Sequence, residues 1–290
     1  MSVGAVEASF WESLPNNRVE CRLCPHHCRI NPGQAGICRA RRNIGGWLEA
    51  WSYGKITSLS LDPIEKKPLQ FFYPGSHILS AGSFGCNFRC DFCQNWSISQ
   101  QQAPFRELQP AGLVDLAVKA VDQGNIGLAH TYNEPLVGFE FVMDCARLTR
   151  AAGLKTVLVS NGYVESEPFA ELLPWTDAMN IDLKAWQPGF YKTVCGGNVE
   201  VVKKNIQAAA AADCHVEITT LLLPGMNDSE DDINALSAWL AAIDPDIPLH
   251  LTRHHPDYQR PEPGPISVHR LAGLAGLARR HLNRVLIGNV

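Results

Sequence analysis

From about residue 75 onward, short apolar runs alternate with stretches of 3.6-residue periodicity. The apolar runs Ile78–Ser83, Ile126–Thr131, Lys155–Ser160, Ala178–Leu183, His215–Leu223, Pro248–Thr252 and Arg284–Ile287 predict seven strands. Between them, Ala111–Val121, Pro135–Ala152, Pro168–Leu173, Val199–Ala212, Ser229–Ile243 and Ser267–His281 predict helices. Leu113, Leu116, Ala117 and Ala120 share one face of the first helix, and Gly153 stands where the second should stop. Strand–helix alternation implies an α/β fold, a parallel sheet with helices outside it. Seven strands in about 215 residues are too few for a closed eight-unit barrel, which needs around 250. The expected fold is a partial, TIM-like (β/α)6 barrel over residues 76–290.

Residues 1–75 lack that rhythm. They are rich in Gly and Pro and hold only short strand-like pieces, such as Trp47–Trp51 and Ile56–Leu61. A small Cys-rich domain, folded with help from a metal, is expected there.

Composition narrows the function classes. Apolar residues make up 46% of the 290, enough for a sizeable core. The net charge of −4, with no single-sign block, gives no reason to expect nucleic acid or a membrane surface as partner. Apolar windows such as Ala235–Ile243 are far shorter than the roughly 20 residues of a membrane span. Met1–Trp11 carries Glu7 and no basic run, unlike a signal peptide. A cytoplasmic location is the expectation.

Seven of the ten cysteines fall in two clusters: Cys21, Cys24, Cys28 and Cys38, then Cys86, Cys90 and Cys93. In a reducing compartment such spacing indicates metal binding rather than disulfides. Cys145, Cys195 and Cys214 are scattered and read as small buried hydrophobes. The C-x3-C-x2-C loop of Cys86, Cys90 and Cys93 follows directly on a strand. A closed zinc site wants four ligands. Three thiolates on one loop fit three corners of an iron–sulfur cubane and leave one iron open.

Polar groups recur at later strand ends. Asn133 and Glu134 precede Pro135, which suits a first helical position, and the pair also reads as a helix cap. Ser160, Asn161 and Gly162 form a turn. Asn180, Asp182 and Lys184 share one face at period 2, with an Asp182–Lys184 ion pair as the plainer reading. His254 follows the sixth strand, either near the site or in a solvated His-rich loop.

The Cys86–Cys93 loop, with Phe92 in its aromatic position, resembles the defining loop of the radical S-adenosylmethionine (SAM) superfamily. That resemblance implies a [4Fe–4S] cluster at Cys86, Cys90 and Cys93, and SAM on its open iron. It also implies reductive cleavage to a 5′-deoxyadenosyl radical, which abstracts hydrogen from a substrate that the sequence does not identify. Tyr132-Asn133-Glu134-Pro135 is similar to the Gly-Gly-Glu-Pro stretch of activating enzymes, with Tyr and Asn replacing the glycines. By the same resemblance Phe92, Asn133, Glu134, Ser160, Asn161, Asp182, Lys184 and His254 border the cofactors. Leu223–Asp228 is similar to the family's Pro-Gly-x-Asn-Asp loop, and Thr219 and Thr220 stand on the strand where an inward basic residue is common.

Cys21, Cys24, Cys28 and Cys38 suit a closed second site, zinc or an auxiliary [4Fe–4S] cluster, in which His26 or His27 could replace a cysteine. Arg39, Arg41 and Arg42 read as a solvated basic stretch, with thiolate stabilisation as the other reading. The whole pattern resembles the radical SAM members of the AmmeMemoRadiSam system, relatives of pyruvate formate-lyase activating enzyme. This implies flavodoxin or ferredoxin as electron donor and Memo-like and AMMECR-like proteins as partners. Two other functions stay open: a glycyl-radical-enzyme activase, and an iron–sulfur regulatory or assembly protein without turnover.

Overall fold

The computed structural model describes residues 4–101 and 103–290. Met1–Val3, which begin the stretch read for a leader, lie outside the described residues. The N-terminal part opens with a three-stranded antiparallel sheet of β1 (Trp11–Leu14), β2 (Arg18–Cys21) and β3 (Arg29–Ile30). A hairpin of β4 (Arg42–Ile44) and β5 (Trp47–Glu49) follows, turning at Gly45 and Gly46. Both glycines have positive φ, which side chains disfavour. Strands this short bury little by themselves.

β6 (Lys55–Ile56) is followed by β7 (Ser58–Pro63), which pairs antiparallel with β8 (His77–Gly82). So β7 belongs to residues 1–75 by sequence and to the main sheet by hydrogen bonding. After β8 come α1 (Trp96–Ser99), β9 (Arg106–Glu107, paired with β6) and α2 (Pro110–Lys119). Next are β10 (Asn125–His130), α3 (Phe139–Ala151), β11 (Lys155–Ser160), α4 (Ser166–Leu172), β12 (Ala178–Asp182), α5 (Pro188–Phe190) and α6 (Val199–Ala210). The chain closes through β13 (His215–Leu222), α7 (Glu230–Ile243), β14 (Leu249–Arg253), α8 (Val268–Ala278) and β15 (Val285–Gly288).

The main sheet runs β7-β8-β10-β11-β12-β13-β14-β15, parallel from β8 onward. Each expected strand is present within a residue of its expected ends. This is the expected partial barrel: six strand–helix units and a last strand. Ser229 and Ser267 cap α7 and α8 rather than joining them, their side chains accepting from Asp232 N and Arg270 N. The helix expected from Pro135 starts later, because Glu134 caps Leu136 N over a tight 3-10 turn, Pro135–Gly138, before α3.

Strand alternation splits the core. Leu79, Ala81 and Leu128 face outward onto Leu113 and Ala117 of α2 and Phe141 of α3. Ile78, Ala129, Val157 and Ala178 face inward and meet Ile64, Leu69 and Phe72. These last three lie on the segment joining β7 to β8, which plugs the barrel at the N-terminal ends of its strands. Glu217 fixes the plug by accepting from Gln70 N (3.0 Å) and Phe71 N (2.7 Å), and Asn180 Nδ2 donates to Pro68 O (2.8 Å). Among the described residues no helix is long and apolar enough to cross a membrane.

Candidate active site

The chemistry-bearing residues follow the C-terminal ends of the parallel strands, where backbone leaves the sheet and side chains can converge. After β8 the chain makes the Cys86–Cys93 loop. Gly85, at φ +90°, starts it against the N-terminal part: a Cβ there would sit 2.3 Å from Cys38 O. Phe88 and Phe92 anchor the loop in the core, Phe88 against Tyr163 and Tyr191 and Phe92 against Phe190. Cys90 is buried, while Cys86 and Cys93 are partly open. Burial, and then the neighbouring Glu134 and Cys90 charges, push the Cys86 thiol up. A cation is needed to hold its thiolate there.

Glu134 organises the next two strand ends. Its carboxylate is 3% exposed. Oε1 accepts from Leu136 N (2.9 Å) and Ser160 Oγ (2.8 Å), and Oε2 accepts from Asn161 N (2.7 Å). A carboxylate has about four acceptor positions, so one on Oε2 is left over. Burial raises its pKa to about 7 against the pull of these bonds. Asn161 Nδ2 reaches Cys86 Sγ (3.6 Å) and Asn87 Oδ1 (2.9 Å). Asn133 ties down the loop start, accepting from Ser83 N (2.9 Å) and donating to Gly85 O (3.1 Å). Tyr132 takes a positive φ and donates to Asp62 (2.5 Å). Its ring lies over β8, where a Cβ on Gly82 would meet it at 2.9 Å.

At the end of β12, Lys184 Nζ binds Asp182 Oδ2 at 2.7 Å, so the plainer ion-pair reading holds. Burial opposes the lysine charge, but Asp182 and the Cys90 sulfur outweigh it and hold Lys184 above the ordinary lysine range. The ion pair therefore stands beside the cysteine loop. His254 is not solvated; it is 1% exposed, and its Nδ1 has no partner among the described residues. With Gln94, Arg253, His255, Pro265 and Asn289 it lines a cavity of about 370 Å³. Burial lowers its pKa.

A model of the radical SAM superfamily matches residues 82–236, more than half of the chain. The chain belongs to the radical SAM superfamily. The radical SAM loop, the Glu134–Asn161 network and the Lys184–Asp182 pair all fall inside the matched span. The Methanocaldococcus jannaschii protein MJ0808, itself uncharacterized, is 42% identical over 98% of this chain and 85% of its own length. A pyruvate formate-lyase-activating enzyme of Clostridium pasteurianum is 25% identical over 53% of this chain and 65% of its own. Streptococcus suis SuiB, solved with S-adenosylmethionine bound, shares the fold: the TM-score is 0.54 at 12% identity, over 70% of this chain and 47% of that one. The protein is thus a radical SAM enzyme related to pyruvate formate-lyase activating enzymes.

Several contacts around the cysteine loop escaped the sequence. Asp91, inside the loop, is gripped by the Arg260 guanidinium (Nε–Oδ1 3.0 Å), while Gln259 N donates to Asp91 O (3.1 Å). Tyr258 stacks on Trp96 at 5.2 Å. The segment after β14 is thereby clamped over the loop. Cys195 is buried as read, yet its neighbour is the Cys90 sulfur, and that contact together with burial holds its thiol up. No spacing rule links positions 91 and 260, or 90 and 195.

Cys21, Cys24, Cys28 and Cys38 line one small pocket. Burial, then the mutual charge of the group, pushes up Cys24, and burial followed by Cys21 pushes Cys38 to about 12. The solvated reading of the basic stretch needs correction at Arg41. It is 1% exposed, donates to Ser9 O (2.8 Å) and reaches Cys21 Sγ (3.6 Å) while paired with buried Glu140. Glu140 lies on α3 and offsets part of the cost of burying the cation. Arg42 pairs with Glu49 at 2.9 Å, and Arg39 stays exposed. His26 also lines this pocket while its Nε2 bonds Asn87 O (2.7 Å), and His27 pairs with Glu165 (2.9 Å).

Proposed function

We propose that this protein cleaves SAM reductively at a [4Fe–4S] cluster held by Cys86, Cys90 and Cys93, giving a 5′-deoxyadenosyl radical for hydrogen abstraction. The observation that carries this is the three-thiol loop after β8 bonded to the strand ends through Asn161 and Glu134. The donor set suits the cluster: sulfur ligands, a buried loop and Lys184 beside Cys90 to offset negative charge. Bound there, the cluster supplies the electron that breaks the carbon–sulfur bond of SAM. The remaining acceptor position of Glu134 suits the SAM ammonium group, with Asn133, Ser160 and Asn161 fixing that carboxylate. Asp182 and Lys184 suit the polar end of the ligand, and His254, whose Nδ1 has no partner among the described residues, suits contact with SAM or substrate. Phe92 acts through packing, by holding the loop.

The test is anaerobic reconstitution with iron and sulfide, then dithionite and SAM. Release of 5′-deoxyadenosine well above a Cys86→Ala control is expected; release equal to that control refutes the enzyme and leaves an iron–sulfur regulatory or assembly role. A flavodoxin or ferredoxin should replace dithionite. Relatives named as activating enzymes favour one second reading, a glycyl-radical-enzyme activase. Under it, incubation with the partner enzyme yields a glycyl-radical spin signal. Memo-like and AMMECR-like proteins are proposed partners, tested by co-purification with the reconstituted chain. Residues 1–75 are proposed as a Cys-rich metal-binding unit, and a cytoplasmic location is proposed with it.

A further inference from the structure

We infer that Cys195 is a positioning residue for the iron–sulfur site: its thiol donates a hydrogen bond to the Cys90 sulfur and so raises the potential at which the site accepts its electron. The inference rests on the reading that Cys86, Cys90 and Cys93 hold a [4Fe–4S] cluster.

Cys195 reaches the loop through a special turn. After α5, Tyr191–Cys195 form a single π-helical turn, a geometry that takes in an extra residue and is frequent at functional sites. Gly196 N and Gly197 N both donate back to Tyr191 O (2.8 and 2.9 Å) and close it. The turn is pressed against the cysteine loop. Arg89 N, one residue before Cys90, donates to Cys195 O (2.9 Å). Gly196 has φ +79°, and a Cβ on it would lie 2.9 Å from Arg89 Nε. A Cβ on Gly197 would lie 2.3 Å from the Phe88 ring. The glycine pair is what lets the two backbones come this close. Tyr191 is fully buried, sets its ring edge-on to Phe88 and accepts from Lys184 N at Oη (2.9 Å). The turn therefore ties the cysteine loop to the end of β12.

These backbone and ring contacts would hold the loop with any small side chain at 195. The thiol adds a polar contact that packing does not require. Cys195 is fully buried, and its sulfur is hydrogen-bonded to the Cys90 sulfur. Of this pair only Cys90 belongs to the three-cysteine loop. Once Cys90 is a thiolate on iron, the proton left to the pair is on Cys195, which makes Cys195 the donor. The other ligands have donors of their own: Cys86 Sγ accepts from Phe88 N (3.3 Å) and Asn161 Nδ2 (3.6 Å). At Cys90 that part falls to Cys195. A donor to a ligand sulfur favours the reduced, more negative state, and so raises the reduction potential.

The test compares the unmodified full chain with Cys195→Ala, which removes the donor, and Cys195→Ser, which keeps one, each reconstituted anaerobically. Iron and sulfide content, the midpoint potential and the electron paramagnetic resonance spectrum of the reduced protein are measured without SAM. Equal iron in all three is expected, with a lower potential and an altered spectrum in Cys195→Ala and most of the potential shift recovered in Cys195→Ser. If Cys195→Ala does not fold by circular dichroism, Cys195→Val, which fills the space without a donor, is measured in its place. An unchanged potential in the donor-free variant overturns the inference. A shift in Cys195→Ser as large as in Cys195→Ala also overturns it, because packing then accounts for the effect. A folded donor-free variant that loses its iron overturns it too, making Cys195 a ligand. An unmodified chain that holds no cluster overturns the underlying reading, and this inference with it.

Discussion

Glu217 offers a quantitative test of how the barrel is closed. It is fully buried on β13, and its two oxygens take four bonds: Gln70 N (3.0 Å), Phe71 N (2.7 Å), His215 Nε2 (2.9 Å) and His250 Nε2 (2.6 Å). Burial raises its pKa, but those bonds win and set it at about 2, from 4.5. The drop of about 2.5 units corresponds to about 3 kcal/mol of stability tied to the ionised form. Because the folded value lies below the unfolded one, this stability is complete above about pH 5 and is lost as pH falls from 4.5 toward 2. Glu217→Ala removes it and leaves two backbone N–H groups of the plug unpaired. We expect the variant to lose about 3 kcal/mol near pH 7 in anaerobic urea unfolding followed by tryptophan fluorescence. The gap to the unmodified protein should narrow by about 1.4 kcal/mol at about pH 3.5. Amide exchange at Gln70 and Phe71 should accelerate in the variant, since both lose their acceptor. A gap that stays constant over that range, or exchange unchanged at both amides, would refute the view that this carboxylate pins the plug.

Other consequences follow from the site. Glu134 carries a raised pKa of about 7, so SAM binding measured by calorimetry should weaken as pH falls through 7, by up to about tenfold per unit, because the protonated acid no longer attracts an ammonium. Pre-steady binding that is flat between about pH 6 and 8 would contradict this. Gly85→Ala adds a Cβ 2.3 Å from Cys38 O at a positive φ; a cost above about 2 kcal/mol and loss of iron from the radical SAM loop are expected, and normal iron content would refute it. Cys195→Ala should leave iron content intact but shift the cluster's midpoint potential downward, since a thiol donor to the Cys90 sulfur is lost; an unchanged potential would sink that role. Arg260→Ala frees Asp91 and should speed proteolysis after β14 with little change in global stability, which limited digestion reports.

Much of this protein is local in origin. The period-2 and 3.6 patterns predicted all seven parallel strands and six of the helices between them, because burial on one side of each element demands that spacing, while the short α1 and α5 went unread. The candidate three-cysteine loop was legible because its thiols lie within eight residues of one another, and the candidates Glu134 and Asn161 because they close strands that must end at one rim. The partners were not legible. Asp91 with Arg260, Cys90 with Cys195, Arg41 with Glu140 and Glu217 with the plug join positions far apart in the chain, and only closure of the barrel makes them neighbours. Arg41 shows the limit most clearly. Beside Arg39 and Arg42 it reads as solvated charge, since sequence carries no sign that a carboxylate ninety-nine positions later waits on α3. The sequence by itself determined the main strands and helices and which thiols are candidates to bind iron. The tertiary structure decided which charges are buried, what each carboxylate holds and how the two cysteine sites come to touch, because those energies depend on through-space distance and desolvation and not on order along the chain.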